Sequence, residues 1–324
     1  MSSTQSSSPI RFRGRFARAR SILRALLLAI IGLLVESSAY GAPVYEITDL
    51  GILPGSVSST ATSVDSSGEV VGYSTFGDGH TEAFYWTVGG GMVGLGGTNS
   101  KAFGVSNGNV VGISGNQAFR WTSGPGMVLI DAANQGQANG VNAGGEAIGT
   151  RKSGASTRVL TWSPSNSISN PFSLANLTGT AINDLGQFVG LNNTTVGYFY
   201  DGSIRSNIAI LPNALSNNQI AAGSASGVAA YENLNTLSVT PVGTLPGDLV
   251  SNLLGINPSG TQIVGTSDTI HAIYFDIATS SLSSVNSLLA LDANQWNIYD
   301  ARSISDTGLI AGDGSFSGGA THAI

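Results

Sequence analysis

The chain has 324 residues, 44 of them glycine, with 10% charged residues, 41% hydrophobic residues and no cysteine. The missing cysteine excludes disulfides, thiolate metal sites, a thiol nucleophile and a lipidated cysteine anchor. So much glycine and so little charge would suit disorder, but the apolar residues fall in recurrent short runs of β type, which predicts an ordered all-β protein.

The first segment reads as a leader. Arg11, Arg13, Arg15, Arg18, Arg20 and Arg24 form a basic stretch, Ala25 to Val35 is apolar, and Ser37 to Ala42 is small-residue chain. That order is the order of a secretory signal peptide. The apolar run has eleven residues, against roughly 20 for a spanning helix. Ala39 and Gly41 place small side chains at −3 and −1, so residues 1–41 are expected to be removed, an uncleaved anchor being the alternative. Six of the thirteen Lys and Arg residues and one of the nineteen acids lie in this leader, which leaves 7 basic and 18 acidic groups and a net charge of −11. Such a surface repels nucleic acid and anionic lipid, so neither nucleic-acid binding nor stable membrane insertion after cleavage is expected.

From residue 42 onward the chain repeats a unit of about 40 residues. Its central phrase is an apolar pair, a polar turn, a second apolar pair and a closing glycine. Copies include Ser63 to Gly72, Gly104 to Gly112, Ala181 to Gly190 and Gly255 to Gly265. The closing glycines are Gly72, Gly112, Gly149, Gly190, Gly223, Gly265 and Gly312, spaced by 40, 37, 41, 33, 42 and 47 residues. The fifth copy is degenerate. Asp65, Asn142, Asn183 and Asn257 each stand three residues before a glycine, Gly68 in the first copy, and Asn107 precedes Gly108. Asn or Asp opens such a turn by accepting backbone hydrogen bonds, and glycine tolerates its positive φ, so these residues are read as structural turn formers of a two-strand hairpin.

A third, aromatic strand follows in each unit, as in Ala83 to Trp86, Ala118 to Trp121 and Val159 to Trp162, and then a fourth, as in Gly91 to Gly96. Four short strands per unit predict a seven-bladed β-propeller, with an open β-repeat solenoid as the alternative. Tyr45 to Gly51 resembles a fourth strand, and the chain stops within a third strand at His322 to Ile324. The N-terminal strand is therefore expected to complete the seventh blade and close the ring.

The phrase Ile47-Thr48-Asp49-Leu50-Gly51, the Val-Val-Gly and Ile-Asn turns, and the His-Ala-Ile at His271 and His322 resemble the HAF-type extracellular repeat family of bacteria. The resemblance covers essentially residues 44 to 324, with a poor match in the fifth copy. It implies an extracellular repeat protein with no established activity. Members often continue into a PEP-CTERM sorting tail, which is absent before Ile324.

Candidate chemistry is sparse. The three histidines are His80, His271 and His322. The last two share a repeat position, aligned with Glu82, Gln117, Arg158, Gly197 and Gly227 elsewhere, and are read as structural rather than as a channel metal site. Asp65, Asp184 and Asp306 lie in repeat turns, while Asp78 and Asp313 each stand alone between glycines, unlike a calcium loop. No serine sits in a Gly-x-Ser-x-Gly elbow. Phe84, Trp86, Trp121 and Trp162 are read as packing one blade on the next rather than as sugar platforms. No catalytic, cofactor or metal site is expected. The leading expectation is a secreted, non-catalytic propeller, periplasmic or extracellular, that binds a glycan or surface protein through its variable inter-strand loops. A polysaccharide hydrolase or lyase, and a purely structural matrix component, are the alternatives.

Overall fold

The computed structural model describes residues 44–203, 205–293 and 295–324, within one unit running from Val44 to Ile324. The leader expected over residues 1–41 lies outside them. The described strands form seven antiparallel sheets, six of four strands and one of three, each a simple up-and-down meander. The first strand of each sheet packs against the first strand of the next, and the last against the first, so the sheets are blades around a central axis. These inner strands are Ser56–Val64, Lys101–Ser106, Gly136–Val141, Leu177–Ile182, Leu211–Leu215, Ser251–Ile256 and Trp296–Ile304. The fold is the expected seven-bladed β-propeller. The degenerate fifth copy builds a complete blade, from Leu211 to Gly243. Among the described residues, no helix is long and apolar enough to cross a membrane.

The repeat phrase has a packing reason. Each blade is covered on both faces, so its second strand carries two consecutive apolar residues instead of an alternation. Val70 lies in the cluster shared with blade 7, and its neighbour Val71 in the cluster shared with blade 2. Val110 and Val111, Ala147 and Ile148, and Ile263 and Val264 divide in the same way. The core is thus seven layers, one per seam. Phe84 and Trp162 are fully buried in these layers, with Trp86 and Trp121 packed at their edges, as expected of blade-to-blade packing.

Each inner strand carries a β-bulge opposite the closing glycine, for example between Ala61 and Ser63 opposite Gly72. The bulge drives the carbonyl of the preceding residue over the glycine Cα. A Cβ on Gly72, Gly112, Gly149, Gly190, Gly223, Gly265 or Gly312 would fall inside the carbonyl oxygen of Thr60, Lys101, Gln137, Thr178, Leu211, Asn252 or Asp300 respectively. Steric exclusion, not turn formation, therefore places these glycines.

The ring closes through the N-terminal segment. Leu50 N donates to Ala323 O at 3.1 Å, as Leu95 N does to Ala83 O and Ile130 N to Ala118 O in intact blades. Ser59 Oγ donates to Gly51 O (2.6 Å) and accepts from Ala323 N (2.8 Å), repeating the links made by Ser100 and Ser251. Leu50 and Gly51 thus stand where a fourth strand stands. The segment makes isolated bridges, Tyr45 to Leu289 and Gly51 to Ala323, rather than the continuous strand expected over Tyr45 to Gly51.

Candidate functional site

A cavity lies on the propeller axis at the end where the inner strands turn into the second strands. At this end the hairpin turns between first and second strands form a rim. Asp65, Asn142, Asn183 and Asn257 each accept the amide of the glycine three residues on, at 2.8–3.2 Å. Their side-chain oxygens take further turn amides, such as Glu146 N on Asn142 Oδ1 (2.9 Å) and Gln187 N on Asn183 Oδ1 (3.0 Å). Asn107 and Gly108 both have positive φ, 49° and 71°, the geometry of a two-residue hairpin turn. Contacts then run from blade to blade. Asn107 N donates to Asp65 Oδ2, Asn107 Nδ2 to Ala143 O, Ala143 N to Asp184 Oδ1, Asp184 N to Asn217 Oδ1, Asn217 N to Pro258 O and Ser259 N to Asp306 Oδ1, all within 3.2 Å. Asp65, Asn107, Asn142, Asn183 and Asn257 meet here in a rim of hydrogen-bonded turns.

Inside the rim the cavity, of about 440 Å³, is lined by all seven inner strands. The extra residue of each bulge lines it, one per blade: Thr62, Phe103, Asn139, Thr180, Asn213, Leu254 and Arg302. Four of these bind the ring together. Thr62 Oγ1, Asn139 Nδ2, Thr180 Oγ1 and Asn213 Nδ2 donate to Ala102 O, Gly179 O, Pro212 O and Leu253 O of the following blade, at 2.6–3.1 Å. Phe103 and Leu254 have no polar group with which to do so, and Arg302 is engaged within its own blade. The position is visible in the sequence only once the bulge is known, two residues beyond the carbonyl that excludes a Cβ.

Blade 7 adds a charged group. Asp300 and Asp313 are directly paired across its first two strands. Arg302 Nη2 lies 2.5 Å from Asp300 Oδ2 and 3.4 Å from Asp313 Oδ2, while Asp313 Oδ1 accepts Ala61 N of blade 1 at 3.0 Å. Asp300 Oδ1 and Arg302 Nε are buried without a partner. Burial, followed by the facing charge of Asp300, lifts the Asp313 carboxyl to about 7, against Arg302 and the Ala61 amide. Burial likewise raises Asp300, against Arg302. Asp313, which stands alone between glycines in the sequence, thus has a second acid facing it. The strand continues through it, and its side chain is 9% exposed.

The histidines lie away from the channel, at the starts of third strands. His271 Nδ1 pairs with Asp248 Oδ2 and His322 Nδ1 with Asp49 Oδ1, both at 2.9 Å. They share one repeat position, as expected. The register places Val196 and Val228 there, not Gly197 and Gly227, because Gly190 pairs with Tyr198 and Gly223 with Ala230, one residue away from the spacing the sequence suggests. His80 contacts Asp78 in its own turn and stacks on Phe76. Among the described residues no group of three or more His, Asp or Glu side chains stands close enough to hold a metal ion.

No known family matches the sequence, and no curated protein is similar to it. Solved structures resemble its fold. One is an oligogalacturonate lyase from Vibrio parahaemolyticus, with a TM-score of 0.54 and 13% identity over 85% of this chain and 92% of that one. Another is a chain of the mitotic checkpoint complex, with a TM-score of 0.51 and 13% identity over 87% and 94%. At such identity the likeness concerns the propeller alone, and these two neighbours differ in what they do.

Proposed function

We propose that the chain is an exported, non-catalytic propeller of the HAF-repeat type that binds a glycan in its central channel. The observation that carries this reading is the exceptional chemistry of three channel positions. Four bulge residues serve the ring by bonding the next blade, whereas Phe103 and Leu254 forgo that bond and line the cavity as an aromatic and an apolar residue, and Arg302 lines it while paired with Asp300 and Asp313. Local departures from a repeated structural rule concentrate at functional sites. An aromatic and a guanidinium side chain lining one cavity suit a sugar ring carrying hydroxyl or carboxylate groups.

The test uses variants that restore the majority chemistry. Phe103→Thr and Leu254→Asn are expected to leave thermal stability intact and to weaken glycan binding, read on a glycan array and by calorimetric titration with the best hit, by tenfold or more. Unchanged affinity in both variants, or no bound glycan for the parent chain, would overturn the reading. A polysaccharide hydrolase or lyase is the second reading, favoured by one observation: Asp313, lifted to about 7, faces Asp300 across the blade. Its mark is new reducing or unsaturated chain ends in a polysaccharide screen, lost in Asp313→Asn.

A further inference from the structure

The residue before each bulge and the residue after each closing glycine are paired in every blade. The seven pairs are Thr60 with Tyr73, Lys101 with Ile113, Gln137 with Thr150, Thr178 with Leu191, Leu211 with Ser224, Asn252 with Thr266 and Asp300 with Asp313. Only blade 7 sets two acids against each other. This is also the blade that closes the ring, and Asp313 is the residue that reaches across to blade 1.

We propose that the blade 7–blade 1 seam is a proton-operated latch, in which one proton on the Asp300–Asp313 pair keeps the facing acids from repelling each other, and loss of that proton loosens the seam through their repulsion. Like charges directly opposite on neighbouring strands repel, and both carboxyls are largely withdrawn from water. A proton on one member of the pair relieves both penalties, as in carboxyl pairs that cannot both ionise. One guanidinium, Arg302, faces the pair, closer to Asp300 than to Asp313. The inner strand of blade 1 offers Asp313 only the Ala61 amide, and the third strand of blade 7 pairs with it through Ala323. The charged groups acting on Asp313 are therefore Asp300 and Arg302, both on the inner strand of blade 7. With both acids ionised the cluster carries two negative charges against one positive. With one proton it is neutral.

Other contacts also cross the seam beyond its apolar layer: Val64 N donates to Ser303 Oγ at 3.2 Å, and Ser59 Oγ donates to Gly51 O (2.6 Å) and accepts from Ala323 N (2.8 Å). Repulsion within the pair therefore acts at the seam where Asp313 meets blade 1, beside the strand that closes the ring.

Hydrogen exchange of the full chain, corrected for the intrinsic pH dependence of amide exchange, provides the test. Between pH 5 and pH 8, protection of Ala61 and of the second strand of blade 7 (Ile310–Phe316) is expected to fall about tenfold relative to amides of the blade 3–blade 4 seam. In Asp313→Asn, and separately in Asp300→Asn, that pH dependence is expected to disappear. Equal protection at both pH values would overturn the proposal. So would an equal loss at all seams, or a loss that persists in both variants.

Discussion

Replacing Asp313 by Asn keeps the acceptor for Ala61 N and the size of the side chain, and removes only the proton equilibrium. An acid whose carboxyl is raised on folding binds its proton more tightly in the native state than in the unfolded chain. Its contribution is therefore most favourable at low pH and is lost as pH rises from its ordinary value of 3.8 through about 7. A tenfold difference in proton affinity between the folded and unfolded chain is worth about 1.4 kcal/mol, and integrating between pH 5 and pH 8 gives a loss of roughly 2.5 kcal/mol for the parent chain. For a domain of this size that corresponds to about 5 °C in Tm. Thermal scans of parent and Asp313→Asn at a fixed rate across this pH range would show it as a difference that cancels other titrating groups. The variant is expected to gain on the parent as pH rises. A constant difference, or a variant that loses ground with pH, would refute the assignment of the proton to this pair.

Other perturbations test the architecture. Gly112→Ala is expected to destabilise by about 3 kcal/mol or more, because its Cβ would enter the carbonyl of Lys101, whereas Gly124→Ala, with open space around it, should stay within about 0.5 kcal/mol. Chemical denaturation would measure both. Arg120 is 5% exposed and bonds Asn166 Oδ1, Asn109 Oδ1, Gly145 O and Ser163 O, tying blade 2 to blade 3 without any carboxylate. Arg120→Ala should cost about 3 kcal/mol in the same assay, through lost charged hydrogen bonds and stranded acceptors. Deleting residues 44–51 removes Leu50 and its bond to Ala323, and is expected to lower Tm by several degrees. An unchanged Tm would contradict closure by this segment.

The ring was legible in the sequence because its seams repeat. A pair such as Val70 and Val71 must serve two layers, and that demand prints the same apolar doublet in each unit. Leu50 could be placed in the last blade because Asp49-Leu50-Gly51 copies the end of a fourth strand. The bulge side chains were not legible. Thr62 and Phe103 differ in chemistry, and only the register shift opposite the closing glycine shows that they share a position. The Asp300–Asp313 pair was hidden for the same reason: two irregularities in one hairpin decide which residues face each other. The equivalence of Gly197 with the histidines fails by one residue where the hairpin Asn192 to Val196 is tight, since spacing alone does not fix register.

The closing strand at Leu50 and Gly51 also bears on how such a chain can change. The unit copied in the gene and the unit that folds as a blade are out of phase by one strand. Gain or loss of a whole copy between Lys101 and Asp276 would leave the residues that join the two ends, Leu50, Gly51, Ser59, His322 and Ala323, in place. A change in blade number within that span would thus leave the joint between first and last blade unaltered.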